Sequence, residues 1–155
     1  MKITLLCVGR LGDSPQGRLA RDYCRRATIA GRDLGLGPVE IIELAAAGRA
    51  AEGQTMLERL ARLGETRLFA CDEKGESLSS REFGVRLARE RDAGLSRLVF
   101  VVGGADGLEA SVLAKAERKL AFGPATWPHA LARVMLAEQI YRVATILAGR
   151  PYHRD

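Results

Sequence analysis

Four short apolar blocks punctuate the chain, at residues 2–8, 39–44, 66–71 and 96–102, each bounded by glycine, proline or charged residues. Blocks of this length predict buried strands rather than helices. A fifth, Lys119 to Phe122, is short enough to be an edge strand. The segments between them change period. Residues 16–33 place Leu19, Tyr23, Ala27 and Ala30 at helical spacing, which predicts an inward stripe under an arginine-rich outer face. Residues 45–52 are ambiguous, although alanine favours helix, and 54–63 turn Met56, Leu57, Leu60 and Leu63 inward up to Gly64. Ser79-Ser80-Arg81-Glu82 has capping-box spacing and opens a helix with Phe83, Leu87 and Ala88 inward, stopped by Gly94. A short helix over 111–117 and a long one over 130–148 follow. Residues 9–17, 72–77 and 123–128 read as loops. Strand and helix alternate throughout, so the expected fold is a single α/β domain, 1–155, on a mostly parallel sheet.

The last helix is apolar on more than one stripe, with Leu131, Val134, Met135, Leu136, Ile140, Tyr141, Val143, Ile146 and Leu147 spread around it. Either a second copy of the chain covers the extra face, most simply across a twofold axis, or the helix is central within one chain. Glu138 and Arg142 stand four residues apart on the remaining polar strip, as an ion pair or as part of a site.

Size and charge narrow the classes. A domain of 155 residues buries roughly 70% of its unfolded surface and needs neither metal nor disulfide. Cys7, Cys24 and Cys71 are odd in number and lack metal-ligand spacing. No apolar run approaches the roughly 18 residues a membrane span needs, and the apolar start is too short for a secretory signal, so a cytoplasmic protein is expected. The net charge is +5, and residues 1–35 and 115–155 each carry 7 Lys/Arg against 3 Asp/Glu, while 36–114 carry 10 against 13. Basic ends that converge would form a footprint for an anionic polymer.

The candidate chemistry sits at strand ends. Leu98 to Val102 empties into Gly103-Gly104-Ala105-Asp106-Gly107, which matches neither a Walker loop nor a dinucleotide fingerprint. This is a tight turn or a ligand cradle, with Asp106 available to cap the next helix. Three exit loops, 72–77, 103–107 and 122–128, are expected to converge, with Leu120, Phe122 and Trp127 as apolar walls suited to a purine. His129 follows Trp127-Pro128 at a helix start, and His153 lies in the basic tail Gly149-Arg150-Pro151-Tyr152-His153-Arg154-Asp155, too poor in apolar residues for core. No Ser-His-Asp arrangement or HExxH motif is present.

Three segments, Leu98 to Leu108 (LVFVVGGADGL), Thr126 to Tyr141 (TWPHALARVMLAEQIY) and Gly149 to Arg154 (GRPYHR), closely resemble the RlmH family. These are large-subunit rRNA pseudouridine methyltransferases of the SPOUT class. With the opening strand and Asp72-Glu73-Lys74-Gly75, the resemblance spans the whole length. It implies a SPOUT-like α/β knot with a C-terminal trefoil knot, a homodimer, and S-adenosylmethionine as cofactor. It further implies N3 methylation of pseudouridine 1915 in helix 69 of 23S rRNA within the 70S ribosome, with no membrane and no metal. The cofactor would be held by Cys71, Asp72, Glu73, Gly103, Gly104, Ala105, Gly107, Leu120, Ala121, Phe122, Gly123 and Trp127. Chemistry would fall to His153, Tyr152, Arg142, Glu138 and Arg154, with the tail reaching the partner's donor. Another SPOUT enzyme acting on tRNA or a different rRNA nucleoside, or a ribosome-binding protein without catalysis, would share these basic ends.

Overall fold

Strands buried on both sides belong in the middle of a parallel sheet, and the order of strands follows that rule. The computed structural model describes residues 1–153. It contains β1 (Lys2–Val8), α1 (Pro15–Gly31), β2 (Val39–Leu44), α2 (Arg49–Arg62), β3 (Arg67–Ser77), α3 (Ser80–Asp92), β4 (Arg97–Val102), α4 (Ala110–Lys115), β5 (Arg118–Ala121) and α5 (His129–Leu147). The sheet order is β2-β1-β4-β3-β5, and every neighbouring pair is parallel. β1 and β4, the most continuously apolar blocks, are adjacent at its centre, whereas β2 and β5 at the edges alternate with exposed positions.

Strand alternation divides the core in two. Ile3, Leu5, Cys7, Phe69, Leu98, Phe100 and Val102 face α1, α3 and α5. Leu6, Val8, Leu68, Ala70, Val99 and Val101 face the other way, onto Met56 of α2 and Val112 of α4.

Three expectations change. The helix stripe of α1 runs through Ala20, Cys24, Ala27 and Gly31, not through Leu19, which is 45% exposed. Small residues win there because α1 packs tightly against α5. Residues 72–77 are not an exit loop: β3 continues to Ser77, and both Cys71 and Glu76 pair with Leu120 across a bulge. The polar composition hid a strand whose neighbour is a short, polar edge. The ambiguous 45–52 stretch divides, its second half opening α2.

The breadth of α5 is explained in good part within one chain. Leu136, Ala137, Ile140 and Val143 enter the shared core, with α1 and α3 packed alongside, while Leu131 stays 39% exposed.

Candidate active site

At the end of β4 the chain reverses within five residues, and Gly107 N–H donates to the Gly104 carbonyl at 3.1 Å. Gly107 has φ of 76°, which favours glycine. A Cβ on Gly103 would stand 2.6 Å from the Gly107 carbonyl carbon, and one on Gly104 3.0 Å from Glu52 Oε2 and 3.1 Å from Val8 Cγ1. The bare α-carbons of Gly103 and Gly104 are therefore packed against the chain's own atoms in the direction a side chain would take. Ala105, Asp106 and Gly107 form the exposed crest. Asp106 does not cap α4; Glu109 is the N-cap, its carboxylate accepting from Ala110 N–H.

The bulge of β3 and the loop leading into α5 are tied together. Thr126 Oγ1 donates to Glu73 Oε2 at 2.9 Å, Trp127 Nε1 donates to the Phe122 carbonyl at 3.0 Å, and Lys74 N–H donates to Asp72 Oδ1 at 2.9 Å. Trp127 thus clasps its own loop and remains 42% exposed. Burial pushes the Cys71 thiol upward, so it stays neutral and is no nucleophile.

Beside this clasp lies a cavity of about 470 Å³, walled by Leu120, Ala121, Phe122 and Gly123, floored by Phe83 and Leu136, and rimmed by Ser79, Glu138 and Gln139. Its volume and mixed lining suit a nucleoside-sized ligand. Cys71, Asp72, Glu73, Gly103, Gly104, Ala105, Gly107 and Trp127 do not line it; they stand at neighbouring strand ends and in the clasp. Leu19 and Tyr23 of α1 do line it, which was not foreseen.

The polar cluster of the C-terminus centres on one oxygen. Glu138 Oε1 accepts from Arg142 Nε at 2.9 Å, from Arg142 Nη2 at 2.5 Å and from Tyr152 Oη at 3.1 Å. The Arg142 guanidinium carbon lies 5.0 Å from the Tyr152 ring centre, and Tyr141 stacks obliquely on Tyr152 at 4.6 Å. The hydrogen bond to Glu138 raises the Arg142 pKa, and burial together with Tyr23 and Glu138 raises that of Tyr152. At neutral pH Arg142 is a fixed cation and Tyr152 a protonated donor. His153 is half-buried next to this cluster in sequence, and Arg154 falls outside the described residues. Glu138 also rims the cavity, so it links the tail to residues 120–123 within one chain.

Three buried charges were missed: Glu90 of α3, paired with Arg67, and two at the strand ends. Arg133 of α5 is 1% exposed; it donates to Glu43 Oε1 at 2.5 Å and to the Val8 and Gly9 carbonyls at 2.9 and 2.8 Å. Burial pushes the nearby Cys7 thiol to about 12, with the Arg133 charge pulling the other way. Glu52 of α2, 8% exposed, accepts from the Ala47 and Gly48 amides at 3.0 and 3.2 Å. The placement of Arg133 on the stripe with Leu136, Ala137 and Ile140 was the available signal. Glu52 offered none.

The family described as predicted SPOUT methyltransferase matches residues 1–153. Among curated proteins, the chain is 53% identical over 157 positions to ribosomal RNA large subunit methyltransferase H of Phenylobacterium zucineum (strain HLK1), covering 100% of both chains. It is 55% identical over 157 positions to the protein of the same name from Caulobacter sp. (strain K31), again over 100% of both. Among solved structures, a probable methyltransferase from Bordetella pertussis Tohama I superposes with a TM-score of 0.54 at 16% identity, covering 92% of this chain and 96% of that one, a likeness of fold. The chain belongs to the SPOUT methyltransferase family and is a methyltransferase.

Proposed function

We propose that this protein transfers a methyl group from S-adenosylmethionine to large-subunit ribosomal RNA, at N3 of pseudouridine 1915 in helix 69 of the assembled ribosome. The full-length identity to proteins named ribosomal RNA large subunit methyltransferase H carries the reading. The cavity supports it, because its apolar walls at Leu120 and Phe122 and its polar rim at Ser79, Glu138 and Gln139 fit an adenosyl group. Gly123, Ala121, Trp127, Cys71, Asp72 and Glu73 complete the holding residues, with the crest Ala105 to Gly107 beside them. When bound, the cofactor supplies an electrophilic methyl group.

The chain's own residues do the rest. Arg142, fixed by Glu138, and Arg150 offer guanidinium groups to RNA phosphate or to charge developing on the base. Tyr152 donates or stacks, and His153 accepts the N3 proton. The reading includes the trefoil knot, a cytoplasmic location and a homodimer whose partner tail completes the site. The exposed Leu19 and Leu131 are apolar surface available to a second copy. β5, reached directly after β4 yet placed beyond β3, is the kind of crossing a knotted path makes.

Incubation with methyl-labelled donor and intact ribosomes, followed by mapping of the labelled nucleoside, tests the substrate. Label in 23S rRNA helix 69 is expected; label only in tRNA overturns it. His153→Ala is expected to lower turnover by about 10²-fold or more with donor affinity unchanged, as for loss of a general base. Unchanged turnover removes His153 from the chemistry.

A further inference from the structure

The charge of Glu52 is not used by the chemistry above, yet it lies directly under the turn at the end of β4. We propose that the Glu52 carboxylate, packed against Gly104, makes the site prefer the cationic methyl donor over its neutral thioether product. The proposal rests on the reading that the exposed crest of this turn, Ala105 to Gly107, borders S-adenosylmethionine from outside the cavity described above.

Three observations carry it. First, the location is imposed by packing: a Cβ on Gly104 would stand 3.0 Å from Glu52 Oε2 and 3.4 Å from Oε1, so no side chain separates the carboxylate from the turn. On the next position of α2, a Cβ on Gly53 would stand 2.5 Å from Glu109 Cβ. The start of α2 thus abuts Gly104 within the glycine turn and Glu109 just beyond it, and neither contact tolerates sliding.

Second, the two oxygens are employed differently. Oε1 accepts from the Ala47 and Gly48 amides, which holds the loop before α2. Oε2, the nearer oxygen to Gly104, accepts no hydrogen bond from any described residue. Third, no Lys or Arg among the described residues forms an ion pair with Glu52, although ion pairs are frequent elsewhere. An 8% exposed carboxylate without a cationic partner leaves much of its field uncompensated in a weakly screening interior. Its two amide donors and the positive end of α2 stabilise it without adding a full opposing charge.

Methyl transfer removes one positive charge from the bound molecule, because the sulfonium becomes a thioether as the S–C electron pair returns to sulfur. A fixed negative charge near that site favours the reactant and weakens the product, which aids turnover by release. Loop support alone would affect both molecules equally.

The test is calorimetric binding of S-adenosylmethionine and S-adenosylhomocysteine to the full chain. Glu52→Gln keeps a carbonyl for the two amides and removes the charge. It is expected to weaken donor binding about tenfold while changing product binding less than about twofold, the size of effect a single charge exerts at short range. Glu52→Asp keeps the charge but draws it back from Gly104 by one methylene, and is expected to lower the ratio of donor to product affinity by less than Glu52→Gln does. Equal weakening of both ligands by either variant, with the wild-type ratio kept, overturns the proposal in favour of loop support. If Glu52→Gln does not fold, the Glu52→Asp ratio decides alone by the same rule. Wild-type protein that binds neither molecule overturns the donor reading, and the proposal with it.

Discussion

On one side of the sheet three helices meet a surface built from rings and small residues, with Phe69, Phe83 and Phe100 in edge-to-face contact and Ala20, Ala27 and Ala137 letting α1 approach α5. On the other side, α2 and the six-residue α4 cover a thinner apolar layer around Met56, Val99, Val101 and Val112. The thick layer carries the tail cluster and most of the cavity wall. The thin layer carries one buried carboxylate and props the glycine turn from beneath. The contrast separates two jobs: holding a nucleoside-sized cavity open requires a rigid, well-filled layer, whereas fixing a tight turn requires only two close contacts.

Truncating one large side chain on each side breaks the comparison most sharply. Phe100→Ala removes a fully buried ring that touches two others, and is expected to cost about 4 kcal/mol. Met56→Ala, 1% exposed but in the thinner layer, is expected to cost about 2.5 kcal/mol, because shorter neighbouring elements relax into the gap. Urea unfolding midpoints at constant slope measure both. Equal losses would mean that the layers are equally rigid.

A second probe reaches across the thick layer to the strand ends. Arg133→Met keeps most of the volume but withdraws the donors from Glu43, Val8 and Gly9. Glu43 is 27% exposed and can rehydrate, so a loss of about 3 kcal/mol is expected, at the low end for breaking a buried pair. The same unfolding experiment reads it. A gain in stability would instead assign Arg133 a role in fixing strand-end geometry at the expense of stability.

The difference between the layers also explains what could be read from the chain beforehand. β1 and β4 were legible because strands buried by sheet neighbours need unbroken apolar runs, β2 because Val39, Ile41, Ile42 and Leu44 still form an apolar block between turn residues, and α3 because Ser79 and Glu82 carry a local signal of their own. The glycine turn was legible as a turn, but what fills its glycines depends on Glu52 and Val8, far away in sequence. Leu19 and Ala20 show the same limit, since helical spacing cannot tell which face meets a partner that demands small residues. The second half of β3 was lost because its polar residues follow an edge strand rather than core. Of the site, the Glu138 and Arg142 spacing was visible, while Tyr152 reaching their shared oxygen depends on the chain turning back after α5.

The smallest effect tests how the two layers start their helices. α2 begins at Gly48 with no side-chain cap and uses the buried Glu52 to hold the preceding amides. α3 begins with an exposed capping box, Ser79 Oγ accepting from Glu82 N–H at 3.2 Å and Glu82 Oε2 accepting from Ser79 N–H at 2.8 Å. Ser79→Ala is expected to cost about 1 kcal/mol, the usual value of a lost N-cap. The bonds from the Ser79 hydroxyl and amide hold the Glu82 pKa below its ordinary value. A depressed carboxylate pKa stabilises the fold above the unfolded-state value, near 4.3, and that contribution fades as pH falls through the lower folded-state value. Hydrogen exchange at the first amides of α3 should therefore quicken in wild type below about pH 4, whereas Glu82→Gln should lose that pH dependence. If the α3 amides exchange identically in both proteins across this range, the cap is not what holds the helix start, and packing of Phe83 against Phe100 replaces it as the anchor.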